Sequence, residues 1–294
     1  MNGSSNRQTR VKAAPYVFIA PAYIIFITFF LGPTIFAIAI SLFRWVALRP
    51  PKFFGLSNYE RLFSDSVFWQ AVQNTALYAA ASLFIVCPLA LILALALNSP
   101  QLRFKWLWRA VYFAPIVTST AAISLTSLML YNREFGFINT ALQTLGIAPV
   151  DWLGNRQTAP WAVIGVVIWR WTGLTSIYFL AGLQSVAQEL YEAAAIDGAS
   201  SIQRFWAITL PQLRPVTLFV IVIVLIGSMQ IFDEPQILTG GGPANATISV
   251  VQYLYARGIE QVRFGYASAI GFTLFVAIFA LSLIQFRFFQ RSEG

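Results

Sequence analysis

Polar side chains nearly disappear from six stretches of this chain and return between them. The stretches run at about residues 16–43, 71–97, 110–131, 161–183, 215–232 and 266–286. An α-helix rises about 1.5 Å per residue, so about 20 apolar residues cross the roughly 30 Å of hydrocarbon in a bilayer. Each stretch meets or approaches that length. A membrane barrel would show alternating segments of about 10 residues instead. The first stretch also exceeds the roughly 7–15 apolar residues of a secretory leader, so it reads as a retained span. The pattern predicts an all-α polytopic membrane protein with six transmembrane helices. The membrane domain covers residues 16–288, between tails at 1–15 and 289–294.

Composition agrees with lipid as the solvent. Hydrophobic residues make up 58% of the 294 positions and charged residues only 10%, against about a quarter charged in soluble domains. The net charge is +8. Its Lys and Arg form no run, so they read as flanks of spans rather than a nucleic-acid surface. With the N-terminus inside, the inner segments carry ten of them, including Arg7, Arg10, Lys12, Arg103, Lys105, Arg109, Arg204 and Arg214. The outer loops carry eight, over longer stretches, which favours cytoplasmic N- and C-termini. Arg170 is the remaining one and falls inside the fourth stretch. Pro21, Gly32, Pro33, Pro88 and Pro115 interrupt the first three stretches and predict kinks.

The catalytic inventory is thin. There is no histidine and the lone cysteine is Cys87, which excludes a Ser-His-Asp triad, His-ligated zinc and an internal disulfide. No G-x-x-x-x-G-K-[ST] phosphate loop is present. Gly240-Gly-Gly-Pro243 lacks the lysine. The chain therefore reads as a non-enzyme that binds no cofactor of its own.

The most informative segment is 187–215. Residues 187–196 are strong helix formers with Glu189 and Glu192 toward the N-terminal end, where carboxylates suit the helix dipole. Gly198 offers a left-handed stop. Ser200 precedes Gln203 by three residues, as in a capping box. Ile202, Phe205, Trp206 and Ile208 then form an apolar stripe at helical spacing. The segment predicts a helix–glycine–helix hairpin, and Pro211 ends its second helix or starts the next turn.

This pattern resembles the EAA loop of permease subunits of bacterial ABC importers. The matching residues are Glu192-Ala193-Ala194, Asp197-Gly198-Ala199, Phe205, Ile208, Leu210-Pro211 and Pro215. The resemblance extends to Asn74-Thr-Ala-Leu, Tyr112-Phe-Ala-Pro115, Leu180-Ala-Gly-Leu-Gln184, Leu238-Thr-Gly-Gly-Gly-Pro243 and Gly265-Tyr-Ala-Ser-Ala-Ile270. It covers nearly the whole chain. The subfamily it points to imports oligosaccharides, polyols and glycerol phosphates, and is related to the first permease of maltose-type systems. The long extra outer domain of the maltose permease is missing.

The resemblance implies a bacterial cell-membrane protein that pairs with a second permease. Two ATPase subunits would hold ATP-Mg, and an extracytoplasmic solute-binding protein would deliver a carbohydrate-like substrate. The cytoplasmic hairpin between helices 4 and 5 would be the coupling helix, through Glu192, Ala193, Ala194, Asp197, Gly198, Ala199, Phe205 and Pro211. Gly240, Gly241, Gly242 and Pro243 would form a flexible loop that docks the binding protein. The competing class is a secondary transporter driven by an ion gradient. It calls for intramembrane carboxylates and internal repeats, and the sequence places no acidic residue well inside a span.

Several residues are candidates for the pathway. Arg170 would line it or pair with Asp233 or Glu234, because a lone charge at the bilayer centre costs at least about 2.5 kcal/mol. Gln230, Asp233 and Glu234, near the outer end of the fifth stretch, suit sugar hydroxyls or the interface. Trp171 and Tyr178, with Trp169, suit stacking on a sugar ring or plain packing.

Overall fold

The structure is a computed structural model that describes residues 5–290. The outermost residues of both expected tails, 1–4 and 291–294, lie outside the described residues. Among the described residues five helices are long and apolar enough to cross a membrane: Tyr16–Ser41, Ser66–Asn98, Ala159–Ser185, Arg214–Thr239 and Phe264–Arg287. The expected third span is instead a pair of helices, Lys105–Val117 and Thr120–Leu130, bent by 105°. Counting that pair as one gives six. Among the described residues the strands are one small antiparallel ribbon, Phe43–Arg44 with Lys52–Phe53, in which Phe43 faces Phe53 and Arg44 faces Lys52.

Proline explains how these helices deviate from regularity. Pro33, Pro88 and Pro211 each follow a π-helical turn, at Ile27–Leu31, Ser82–Val86 and Phe205–Thr209. The residue just before each proline donates to the carbonyl five residues back: Gly32 to Ile27, Cys87 to Ser82, Leu210 to Phe205. A proline ring has no N–H and collides with the carbonyl four residues earlier. Those carbonyls belong to Phe29, Phe84 and Ala207, all inside the widened turns. The helix therefore widens where it would otherwise break. Pro115 has no such turn before it. There the helix ends at Val117, and Thr118 and Ser119 turn extended (ψ 139° and 138°). The Ser119 hydroxyl accepts from Ala122 N–H to start the second arm.

The chain divides into two compact units. One comprises Met1–Ser64 and Leu254–Thr273. Within it, Asn58 Nδ2 donates to the carbonyls of Ser41 (2.7 Å) and Phe43 (3.0 Å), fixing the exit of the first span. Trp45 packs edge-on to Phe264, with centroids 5.4 Å apart, and the Phe43 carbonyl lies directly over Gly265, leaving no room for a Cβ.

The other unit comprises Asp65–Tyr253 and Leu274–Gly294. Its second span starts at Ser66, five residues before the apolar run, because the Asp65 carboxylate caps it by accepting from Val67 N–H at 2.9 Å. One core joins the second, fourth and fifth spans through Cys87, Ala90, Ala94, Leu97, Phe179, Leu183, Leu213, Val220 and Val224. Ala90 and Ala94 are one turn apart and fully buried, which lets the second and fourth spans approach closely. A second core holds Tyr78, Ile123, Val163, Val167, Ile231 and Leu238.

Two helices of this unit come very close at Gly173 of the fourth span. A Cβ there would run into the backbone carbonyl of Tyr112, on the first arm of the bent pair. Gly173→Ala is expected to destabilise the protein by about 1–3 kcal/mol, the usual penalty of overpacking. Thermal melting of the purified transporter should show it, and Gly146→Ala, at an exposed turn with open space around it, should melt higher than Gly173→Ala.

Candidate functional site

Two constructions stand out in the larger unit: the hairpin between the fourth and fifth spans and a polar cluster around Arg170.

The hairpin is built from local signals. Its first helix is Gln188–Ile196, with Glu189 in the first turn and Gln188 Nε2 bonded to Glu192 Oε1 at 3.0 Å. Asp197 is the C-cap and Gly198 takes φ +77°. Ala199 N–H returns to Ala194 O (2.9 Å) and Gly198 N–H to Ala195 O (3.1 Å), the paired bonds of a Schellman stop. Ser200 then caps the next helix, Ser201–Arg204. Its hydroxyl accepts from Gln203 N–H (3.3 Å), while its own N–H donates to Gln203 Oε1 (2.7 Å). That is the capping box the spacing predicts.

The two arms are tied by a 2.9 Å bond between the Tyr191 and Thr209 hydroxyls. Glu192, Ala193, Asp197 and Pro211 are exposed; Ala194, Ala199 and Phe205 are half-buried. Ile196, Ile202 and Trp206 are exposed at 87%, 72% and 63%. A rigid elbow thus presents large apolar side chains beside two carboxylates, a surface suited to a protein groove.

The polar cluster settles the partner of Arg170. Its Nη1 donates to Glu234 Oε1 at 2.9 Å, forming an ion pair. The Glu234 side chain is 4% exposed and that of Arg170 26%. The guanidinium lies 5.4 Å from the centre of the Trp171 ring, which adds a cation–π contact. Trp171 in turn covers Gly227 of the fifth span. Glu234 lies toward the end of the fifth span, Arg214–Thr239, where the sequence places it. The fifth span's helix breaks after Met229 and resumes at Asp233–Thr239, carrying Glu234 inward. Gln230 and Asp233 are exposed, and Trp169 is 50% exposed. Tyr178 packs edge-on to Phe219 (5.3 Å), so packing accounts for its ring. A cavity of about 140 Å³, lined by Ala114, Pro115, Thr118, Ala122, Ile123, Thr126 and Trp169, opens at the bend of the broken span.

The glycine-rich segment is not the free loop its composition suggests. Gly240 (φ +60°) ends the Asp233–Thr239 helix and Gly241 (φ +85°) continues the turn. Thr247 Oγ1 bonds Gly242 O (2.9 Å) and Thr239 Oγ1 (2.6 Å). The second span then clamps the returning chain. Asn74 Nδ2 donates to the carbonyls of Asn245 (3.0 Å) and Ile248 (2.9 Å), Tyr78 OH donates to Thr247 O (2.8 Å), and Val250 N–H donates to Thr75 Oγ1 (3.0 Å). Gly241 is buried, while Gly240 remains exposed. Sequence reasoning gave no role to Thr75, Tyr78 and Thr247. The available signal is the i, i+4 spacing of Asn74 and Tyr78, which puts them on one face of their helix.

Among the described residues no group of three or more His, Cys, Asp or Glu side chains is placed to hold a metal ion. The geometry offers mechanical and polar surfaces in a membrane helix bundle. The family described as "Binding-protein-dependent transport system inner membrane component" matches residues 10–293. The chain belongs to this family of permeases. The probable ABC transporter permease protein YurN of Bacillus subtilis is 40% identical over 96% of this chain and 98% of its own. The arabinooligosaccharides transport system permease protein AraP of the same organism is 38% identical, covering 96% and 90%. The lactose transport system permease protein LacF of Rhizobium radiobacter is 37% identical, covering 92% of each. The fold of the permease matches a chain in the crystal structure of a bacterial ABC transporter that imports the acidic polysaccharide alginate. The TM-score is 0.85 at 24% identity, over 97% of this chain and 98% of that one. Its place is therefore in a membrane, as the transport subunit of a binding-protein-dependent ABC importer.

Proposed function

We propose that this permease carries a sugar or related polyol into a bacterial cell. It would pair with a second permease, take solute from an extracytoplasmic binding protein, and draw work from two partner ATPases that hold ATP-Mg. The observation that carries the reading is the rigid elbow at Gly198 in a chain whose relatives, over nearly their full length, are named for arabinooligosaccharide and lactose transport. With both termini cytoplasmic, the elbow faces the ATPases. The chain contributes no catalytic residue.

The mechanism is a two-state equilibrium. ATP shifts it only by favouring the assembly that opens outward. Closure of the ATPases pushes the elbow through Glu192, Ala193, Ala194, Asp197 and Ala199, with Phe205 and Pro211 supporting its second arm. Because Schellman stop, capping box and Tyr191–Thr209 tie make the elbow stiff, the push reaches the fourth and fifth spans, which continue directly from it. Those spans carry Arg170, Trp171, Gln230, Asp233 and Glu234 along the pathway, with Tyr178 packing the spans together. The exposed Gln230 and Asp233 and the half-engaged Arg170 guanidinium supply donors and acceptors for hydroxyls. On the outer side, the turn through Gly240, Gly241, Gly242 and Pro243 offers the binding protein a firm backbone edge.

Uptake of a labelled oligosaccharide panel into liposomes holding the complete transporter and binding protein tests this reading. Accumulation should require internal ATP-Mg and survive a protonophore. Accumulation that follows an ion gradient without ATP would overturn it.

A further inference from the structure

The helix Lys105–Val117 carries a second surface, unrelated to the solute pathway. From Ser66 to Arg133 the chain has no acidic residue, yet Arg103, Lys105 and Arg109 fall within seven positions. None of the three makes an ion pair among the described residues. Arg109 Nε is shielded from solvent and has no hydrogen-bond partner there. Around these cations stand exposed apolar side chains: Phe104 (65%), Trp106 (71%), Leu107 and Trp108. Trp108 stacks on Tyr112, with centroids 6.4 Å apart. Neighbouring Leu102 packs on the core that contains Leu97, Leu183 and Leu213, so the strip lies at the end of this unit where the hairpin leaves the fourth span.

Cations at an apolar boundary with no protein anion need an anion from elsewhere, because low dielectric makes an unpaired charge costly. Tryptophans mark the depth of lipid headgroups. A free phosphate would satisfy the cations but leave the aromatic collar bare, whereas a phospholipid fills both. We propose that Arg103, Lys105 and Arg109, with Trp106 and Trp108, form a binding site for an anionic phospholipid headgroup on the hairpin side of the membrane. The site holds the first arm of the broken span at the headgroup level. It does not rest on which solute is carried, so its failure leaves the transport reading intact.

The test uses the complete transporter in nanodiscs of phosphatidylcholine with one-fifth phosphatidylglycerol, extracted into neutral detergent, with the retained lipids weighed by mass spectrometry. Wild type should retain phosphatidylglycerol above its share of the bilayer. R103Q/K105Q/R109Q should fall to the bulk ratio, at about fivefold weaker binding for each charge removed. R133Q/R156Q, which neutralises two exposed arginines of the loop after the broken span, should keep the enrichment. If the triple variant fails to assemble, R103Q alone, at an exposed position, should still bind about fivefold more weakly. Undiminished enrichment in the basic-strip variants, or equal loss in R133Q/R156Q, would overturn the site.

Discussion

Gly198→Val is expected to drop ATP-driven uptake to background while the permease still inserts, assembles and permits ATP hydrolysis. Gly198 sits at φ +77° with nothing within 4 Å of the position a Cβ would take. The conflict is therefore within the backbone and not with neighbours. An L-residue pays about 1–2 kcal/mol in the left-handed region, and a β-branched one pays more. Relief requires abandoning the stop, which also moves Ser200 out of register with Gln203. The elbow would then bend under load instead of transmitting it. Gly198→Asn is the informative control, because asparagine tolerates this conformation and should keep most of the uptake. Parallel assays of hydrolysis and uptake on both variants check the expectation. Wild-type uptake with valine at this position would remove the elbow from the mechanism.

Arg170→Met should be more damaging to stability than any surface change, and pairing it with Glu234→Gln should restore most of the loss. Methionine at 170 leaves the Glu234 carboxylate, 4% exposed, without its cation. Breaking a buried pair from one side costs about 3–5 kcal/mol, whereas replacing both charges is often close to neutral. The double variant measures this coupling directly. Thermal melting of the purified transporter should rank wild type and double variant together, with both single variants well below. Single variants that melt with wild type would show that the pair holds nothing in place.

The sequence revealed the features whose causes are local. Apolar runs located the helices, since their length answers to the bilayer. In the hairpin the left-handed stop and the capping box were legible, because Gly198, Ser200 and Gln203 lie within six positions, whereas the Tyr191–Thr209 tie between its arms, across 18 positions, was not. Helix starts were less visible. The second span begins at Ser66 because a polar residue, Asp65, caps it, and hydropathy cannot register a cap. Pro115 announced a disturbance, but the 105° bend depends on two further residues leaving the helix. In the polar clusters the charges named Asp233 or Glu234 as the partner of Arg170 without choosing between them, while the contacts of Asn74 were out of reach because those partners are distant in sequence. Glu234 meets Arg170 across 64 positions, and Asn245 meets Asn74 across 171. Composition alone makes a glycine-rich segment look mobile. Only the fold shows Thr239 and Thr247 bonding it and the second span holding the chain that returns from it.

A single cysteine crosslink tests transmission through the elbow most directly. Cys87 is buried, so a cysteine introduced by Ala195→Cys, at an exposed position on the first hairpin helix, is the reactive one. Paired with cysteines around the nucleotide-binding domain's groove, it should form a disulfide to the partner ATPase in the assembled transporter, stop uptake, and release it again on reduction. No crosslink to the ATPase under any nucleotide condition, or labelling of that cysteine by an impermeant reagent added outside intact cells, would contradict the account.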